Sequence, residues 1–342
     1  MTDSSIARSE DHPAGVAIIV GEVLWDCFPD RQVLGGAPLN VAWNLAGFGL
    51  DPLFVSAVGD DELGHKILKR MREWGLSTDG VAVLPDAPTG TVQVTLVDGE
   101  PQYDIVRGVA YDRIPVPSSD VLATVQDRVA KASEQGLSSL LYHGTLAYRS
   151  ESNRETIHQL RRHFQTSGND SLDVFFDINV RKPHYDTAWL DDLMPGAGLV
   201  KLNEDEMGDL ASQKLLNADA RRSAARELLS QYSNLECLLV TLGAEGAECY
   251  LSQEQHGLAN DGQSPITVVA PEPETMIDPV GAGDAFASVV IAGHLRRLPI
   301  ESTLRLATRF ASQVCGLPGA TSDDTDFYRI DFSGDPRCVP DD

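Results

Sequence analysis

Short apolar runs alternate with helical patterns along almost the whole chain, and that alternation leaves few folds open. Val16–Val20 is an unbroken apolar run ending at Gly21, and Ala37–Phe48 then places Val41, Leu45 and Phe48 on one helical face. Leu53–Val58 is a second apolar run; Asp60 and Asp61 then cap a helix that reaches Trp74 and is terminated by Gly75. Further runs at Ser139–Tyr142, Val174–Asp177, Leu199–Leu202 and Leu238–Thr241 are separated by helical patterns near 120–135, 151–165 and 218–232. Unbroken apolar strands are buried on both faces. Strands that alternate with helices therefore predict an α/β fold with a parallel sheet covered on both sides.

Two stretches break this rhythm. Val81–Leu84, Thr91–Val97 and Gln102–Val106 are strand-like, with the turn residues Asp98-Gly99 between the last two. Val23–Cys27 and Gln32–Leu34 can join them in a small separate β-sheet, the kind of insertion that serves as a lid. The reading is one catalytic domain over 14–332, with a lid from about 22–36 and 90–111, and disordered tails at 1–13 and 333–342.

Charge narrows the function classes. The 342 residues carry 27 Lys+Arg against 51 Asp+Glu, a net charge of −24. A field that negative repels nucleic acid and anionic lipid, so neither is expected as a partner. A phosphate site in such a chain must rest on backbone dipoles and a metal ion. The five cysteines, Cys27, Cys237, Cys249, Cys315 and Cys338, are odd in number and widely spaced, which argues against a disulfide framework or zinc site. No basic and apolar leader opens the chain and no apolar run approaches membrane length, so a soluble, cytoplasmic protein is expected.

Two phosphate motifs fail on spacing. Gly59–Lys66 resembles a P-loop but has His65 where lysine is needed, and Gly47-Phe48-Gly49 follows a helix and meets Pro52 in place of a third glycine. The strong motif is Asp278-Pro-Val-Gly281-Ala-Gly283-Asp284, which leads into the apolar helix Ala285–Leu298. Gly281 and Gly283 allow close backbone approach, and the free N–H groups of Ala282, Gly283 and Asp284 at a helix start favour an anion. Asp284 is either a first-turn acid that stabilises the helix or a base beside an anion hole. Phosphoryl transfer needs that second pairing, and an ordinary carboxylate suffices for it because the proton moves late.

These residues resemble the C-terminal signature of the ribokinase-like (PfkB) carbohydrate kinases. Further motifs are similar in the same order. Gly21–Asp26 looks like the first strand and its substrate aspartate; Gly35-Gly36-Ala-Pro-Leu-Asn40 looks like the sugar site; Lys201–Glu206 looks like the N-x-x-E element. Thr241-Leu-Gly243-Ala-Glu-Gly246 looks like the nucleotide-binding turn, and Pro318–Thr321 like the C-terminal nucleotide loop. The resemblance spans 16–321 and is closest to fructokinases. It implies a three-layer sandwich with a mostly parallel sheet and a β lid, in-line transfer from ATP to a sugar hydroxyl with Asp284 as base, and a possible homodimer through the lid. It implies that Asp26, Gly35, Gly36, Asn40, Arg107, Asn179, Arg181 and Asp284 meet the sugar. Lys201, Asn203, Thr241, Gly243, Gly246, Gly281 and Gly283 would meet ATP, and Glu206 with Asn203 would meet Mg2+ through water. Asp278 and Val280 carbonyls would hold K+ if any is bound; Pro279 replaces the family's usual threonine there and puts that site in doubt.

Each residue has a plainer reading. Asn40 can cap its helix, Asp26 can be a surface turn residue, Glu206 an exposed helix acid, and Thr241 with Gly243 an ordinary strand end. The stretch Asp177-Ile-Asn179-Val-Arg181 is similar to fructokinases and to ketodeoxygluconate kinases, so Arg107 and Arg181 can also read a substrate carboxylate or phosphate. A nucleoside kinase is a third option, with Trp25, Phe28, Tyr103 and Tyr111 stacking a base. A non-catalytic sugar sensor would be expected to lose Asp284 or its glycines, and both are intact.

Overall fold

The computed structural model describes residues 14–97, 100–165, 172–212, 214–215, 217–252 and 264–333. The chain runs β1 (Ala17–Val20), β2 (Leu24–Cys27), β3 (Gln32–Gly35), α1 (Ala37–Gly47), β4 (Leu53–Gly59), α2 (Glu62–Trp74) and β5 (Val81–Leu84). It continues through β6 (Gly90–Val97), β7 (Glu100–Ile105), α3 (Ser119–Glu134), β8 (Ser139–Gly144), α4 (Glu151–Gln165), β9 (Leu172–Asp177), a short α5 (Leu190–Leu193) and β10 (Leu199–Asn203). The last elements are α6 (Glu204–Leu210), α7 (Ala218–Gln231), β11 (Cys237–Thr241), β12 (Ala247–Leu251), β13 (Ile266–Val268), α8 (Ala282–Leu295) and α9 (Ile300–Val314).

Among the described residues one nine-stranded sheet has the order β13-β12-β11-β10-β9-β8-β1-β4-β5. It is parallel from β5 to β11, while β12 and β13 are antiparallel at the edge. That edge was not foreseen, because a short antiparallel return lacks its own helix. Alternate strand side chains feed two cores. Ala17, Ile19 and Phe54 pack with Val41, Leu45 and Phe286 on one face; Ile18, Val20 and Val55 pack with Val125, Leu160 and Leu228 on the other. The arrangement is the covered parallel sheet that the unbroken apolar runs require.

A separate four-stranded sheet has the order β3-β2-β6-β7. It is the expected lid, with one correction: β5 (Val81–Leu84) pairs in parallel with β4 in the main sheet instead. An apolar run shows that a strand exists but not which sheet it joins. The Asp98-Gly99 turn, the tails 1–13 and 334–342 and Cys338 lie outside the described residues. Cys237, Cys249 and Cys315 are buried thiols and Cys27 is half-buried, and no described helix is long and apolar enough to cross a membrane.

The P-loop look-alike is explained locally. The Asp61 carboxylate caps α2 through the Gly64 N–H at 2.8 Å and also accepts from the Thr89 N–H and hydroxyl. His65 and Lys66 are exposed and pair with Asp60 and Glu62. The loop is tied down by side chains and holds no open backbone cradle for phosphate.

Candidate active site

In an open parallel sheet, ligands bind beyond the carboxyl ends of the strands. Here those ends carry Glu22 just after β1, Asp177 at the end of β9, Asn203 at the end of β10 and Thr241 at the end of β11. The lid sheet leads straight into α1 through Gly36, so α1 starts beside the same edge.

Residues 244 positions apart meet there: Asn40 Nδ2 donates to Asp284 Oδ2 at 2.8 Å, and both side chains are buried. Asp284 lies in the first turn of α8, whose N-cap is Gly281 in the left-handed region at φ 86°, with no side chain capping it. Asp284 is therefore not a helix cap, and Asn40 is not one either. Burial pushes the Asp284 carboxyl up to about 6; the Asn40 amide, Lys201 and Arg181 oppose the rise, and Asp177 adds to it. It remains mostly ionised at neutral pH, although it is less ordinary than the sequence alone implies.

The anion hole has two free donors rather than three. The Ala282 N–H donates to the Pro279 carbonyl at 3.2 Å, whereas the Gly283 and Asp284 N–H groups have no backbone partner among the described residues. Gly281 also fits because a Cβ there would lie 2.4 Å from the Ala320 Cα, so the 318–321 loop packs directly on the helix start. Asp278 Oδ1 accepts from the Val280 N–H at 3.0 Å, which folds the 278–280 segment into a turn ahead of α8.

Below this helix start lies a buried ion pair. Lys201 Nζ donates to both Asp177 oxygens at 2.9 and 3.0 Å, and Tyr142 OH donates to Asp177 Oδ2 at 3.1 Å. Burial alone would lower the Lys201 pKa, but Asp177, with Glu206 and Asp284 behind it, holds it above its usual value. A Cβ at Gly283 would be 3.5 Å from Lys201 Nζ, so this cation sits against the first turn of α8.

Asn203 and Glu206 form a capping box. Asn203 Oδ1 accepts from the Glu206 N–H, and Glu206 Oε2 accepts from the Asn203 N–H, both at 2.8 Å. Glu206 Oε1 takes the Val180 N–H at 2.7 Å. Glu206 is therefore buried, unlike the exposed helix acid of the plainer reading, and Asn203 is the N-cap of α6. Each Glu206 oxygen keeps lone pairs for a water, and among the described residues no three His, Cys, Asp or Glu side chains form a cage. This donor set fits a Mg2+ that arrives on phosphate oxygens and meets the protein through water.

On the lid side, Gly35 leaves room for Asp26: a Cβ there would be 2.6 Å from Asp26 Oδ2. Burial raises the Asp26 carboxyl to about 6 against the charge of Arg181. Gly36, at φ 113°, passes so close to the Glu22 carbonyl that a Cβ would sit 2.6 Å from it. Arg181 is exposed, yet its charge reaches Glu22, Asp26 and Asp284. Arg107 Nε donates to His184 Nδ1 at 3.1 Å, and Asn179 makes a left-handed turn at φ 39° after β9. Among the nucleotide-side residues, Thr241 pairs in register with Asn203. Gly243, at φ 59°, is open to solvent, whereas Gly246 is needed for packing, since a Cβ would lie 2.0 Å from the Val268 carbonyl.

The sequence profile of the pfkB family carbohydrate kinases matches residues 13–326. The chain belongs to this family. A relative described as probable fructokinase-6, chloroplastic, from Arabidopsis thaliana is 26% identical over 341 residues, 92% of this chain and 79% of that protein. Arabidopsis thaliana ribokinase, solved with ribose and ATP, superposes with a TM-score of 0.71 at 19% identity, covering 97% of this chain and 100% of that one. Fructokinase from Vibrio cholerae O395, solved with fructose, ADP and calcium, has a TM-score of 0.69 at 19% identity, covering 90% and 94%.

In this pfkB carbohydrate kinase the Asp284 carboxylate, the Gly283 and Asp284 N–H groups and the buried Lys201 come together at the start of α8. Of the residues named for base stacking, Trp25 and Tyr111 are buried, with the Trp25 indole N–H donating to the Leu63 carbonyl, while Phe28 is half-buried under the Arg31 guanidinium. Tyr103 lies where side chains are not described. Sequence reasoning passed over two charged residues of this kinase. Glu22 is 5% exposed with its carboxyl raised to about 7, chiefly by burial, and the Arg149 side chain is 4% exposed.

Proposed function

We propose that this carbohydrate kinase transfers the terminal phosphoryl group of ATP to a hydroxyl of an uncharged sugar, with fructose the leading substrate. The observation that carries this reading is the Asn40–Asp284 hydrogen bond at the start of α8, which joins the sugar-site motif to the proposed base. Asp284 accepts the hydroxyl proton, with Asn40 fixing its carboxylate. The Gly283 and Asp284 N–H groups, backed by Lys201, hold the negative charge of the group in transfer. Asp26, Gly35 and Gly36 bind the sugar, with Asn179 and Arg181 at its margin and Arg107 on the lid. Thr241, Gly243, Asn203 and Gly281 border the nucleotide, while Gly246 acts through packing. Mg2+, when bound with ATP, neutralises phosphate charge; Glu206 would hold one of its waters. Residues 14–332 act as one catalytic domain in the cytoplasm, and the lid is the face offered for a homodimer, which light scattering would test.

The test is an ATP-consumption screen over fructose, ribose, ketodeoxygluconate, adenosine and phosphosugars. Fructose should give the highest kcat/KM. Asp26→Ala should lower it roughly 5- to 150-fold by leaving sugar hydroxyls unpaired, with little change in ATP KM. If an acidic or phosphorylated sugar wins, and Arg107→Ala costs more than Asp26→Ala, the enzyme is a kinase of a charged sugar.

Two further results are expected. The base must be ionised, and burial holds the Asp284 carboxyl near about 6, so kcat should fall as pH drops below that value. A kcat that is flat between about pH 5 and 8 would contradict this. Glu206→Gln should raise the magnesium half-saturation and also lower the melting temperature, because an amide NH2 would face a backbone N–H. An unchanged magnesium titration with a lowered melting temperature would reduce Glu206 to its capping role.

A further inference from the structure

Two buried polar atoms on the lid side have no hydrogen-bond partner among the described residues. One is Glu22 Oε2, just beyond β1; the other is Arg149 Nη1, on the turn after β8. The rest of the Arg149 guanidinium is fully engaged. Its Nε and Nη2 donate to Asp112 at 2.7 and 3.0 Å, and Nη2 also reaches the Val106 carbonyl at 2.8 Å and Tyr111 OH at 3.1 Å. The group lies 5.1 Å over the Tyr111 ring, which itself packs against Gly90 at the start of the lid strand β6.

The two lie near each other: Tyr111, under the Arg149 guanidinium, packs at Gly90, where a Cβ would lie 3.0 Å from the carbonyl of Val23, the residue after Glu22. The Arg149 charge lowers the Glu22 pKa, Glu22 raises that of Arg149, and Asp284 raises that of Glu22. A buried donor or acceptor without a partner is costly, and a pair held rigidly on the cleft side is what a polar ligand would complete.

Resting on the sugar-kinase reading above, we propose that Arg149 Nη1 and Glu22 Oε2 form a specificity subsite that hydrogen-bonds sugar hydroxyls other than the one Asp284 deprotonates. The guanidinium donates to one hydroxyl oxygen and the carboxylate accepts from a hydroxyl O–H, an acceptor role that an amide NH2 at the same position would lose. An anionic substrate group is disfavoured there. Asp112 already neutralises Arg149 in a buried pair at 2.7 Å, and Arg181 is the one other cation acting on Glu22, Asp26 and Asp284 together. A site built to bond a hydroxyl also rejects the analogue that lacks it, because its own groups are then left unpaired.

Glu22→Gln, close in shape, tests this with fructose and a set of its monodeoxy analogues. The kcat/KM for fructose should fall roughly 5- to 150-fold, mainly through sugar KM, with ATP KM unchanged. For one deoxy analogue the wild type should already be poor, and Glu22→Gln should cost nothing more. Arg149→Lys should show the same pattern; if it fails to fold, the Glu22 variant still decides. A Glu22→Gln enzyme with fructose KM within about twofold of wild type, or equally impaired on every analogue, overturns the subsite while leaving the sugar-kinase reading intact. A wild type that phosphorylates no uncharged sugar overturns both.

Discussion

Asp284→Asn should lose roughly 10²–10⁴-fold in kcat while still binding sugar and ATP. The amide keeps the shape of the carboxylate and can still accept the Asn40 Nδ2 hydrogen bond now seen at 2.8 Å. What it lacks is proton affinity. Unfolding is not expected to contribute. Burial raises the Asp284 carboxyl in the folded state to about 6, above its ordinary value. A group shifted in that direction favours folding at pH below its ordinary value, and that contribution is lost as pH rises through about 6. At about pH 8 the ionised carboxylate is therefore a burden on the fold, and the amide variant should melt no lower than the wild type. Steady-state kinetics with sugar calorimetry and a melting curve at about pH 8 check all three points. A variant retaining more than about a tenth of wild-type kcat would remove Asp284 from the role of base.

The second large effect falls on stability. Lys201→Met should destabilise the fold by about 3–5 kcal/mol, because it leaves the fully buried Asp177 carboxylate with only the Tyr142 hydroxyl as a partner. The resemblance assigns Lys201 to ATP; its Nζ donates to both Asp177 oxygens at 2.9 and 3.0 Å, which uses two of the ammonium's three N–H groups and leaves one beside Gly283. The expectation here is that the ion pair matters first to the fold, with charge beside the first turn of α8 as its service to a nucleotide. Chemical denaturation measures the loss. A midpoint close to wild type, with ATP KM strongly raised, would instead make Lys201 a direct phosphate ligand.

Much of the framework was legible because it rests on local rules. Asp61 and Gly75 bound α2 as cap residues should, and the apolar runs at Ala17–Val20, Leu53–Gly59 and Cys237–Thr241 are central strands. Asn40 and Asp284 could be named because each sits in a glycine-marked motif; that they touch is a tertiary fact no spacing contains. Asn203-x-x-Glu206 carried a signal that was read only one way, since the same spacing is a capping box. The lid membership of β5 was misjudged because strand pairing is decided by what lies beside Leu53–Gly59 in space. Glu22 and Arg149 escaped notice for a different reason. Neither has a spacing partner in sequence, and only burial beside Tyr111 and Asp284 sets them apart from surface charges.

The most direct test of the account is product analysis of one reaction. Purified enzyme, ATP, Mg2+ and fructose should yield fructose phosphate and ADP in equal amounts, with ADP formation falling to background when fructose is omitted, and both products forming roughly 10²–10⁴-fold more slowly with Asp284→Asn. ADP released at the same rate without any sugar, or fructose phosphate accumulating at the wild-type rate in Asp284→Asn, would contradict the account.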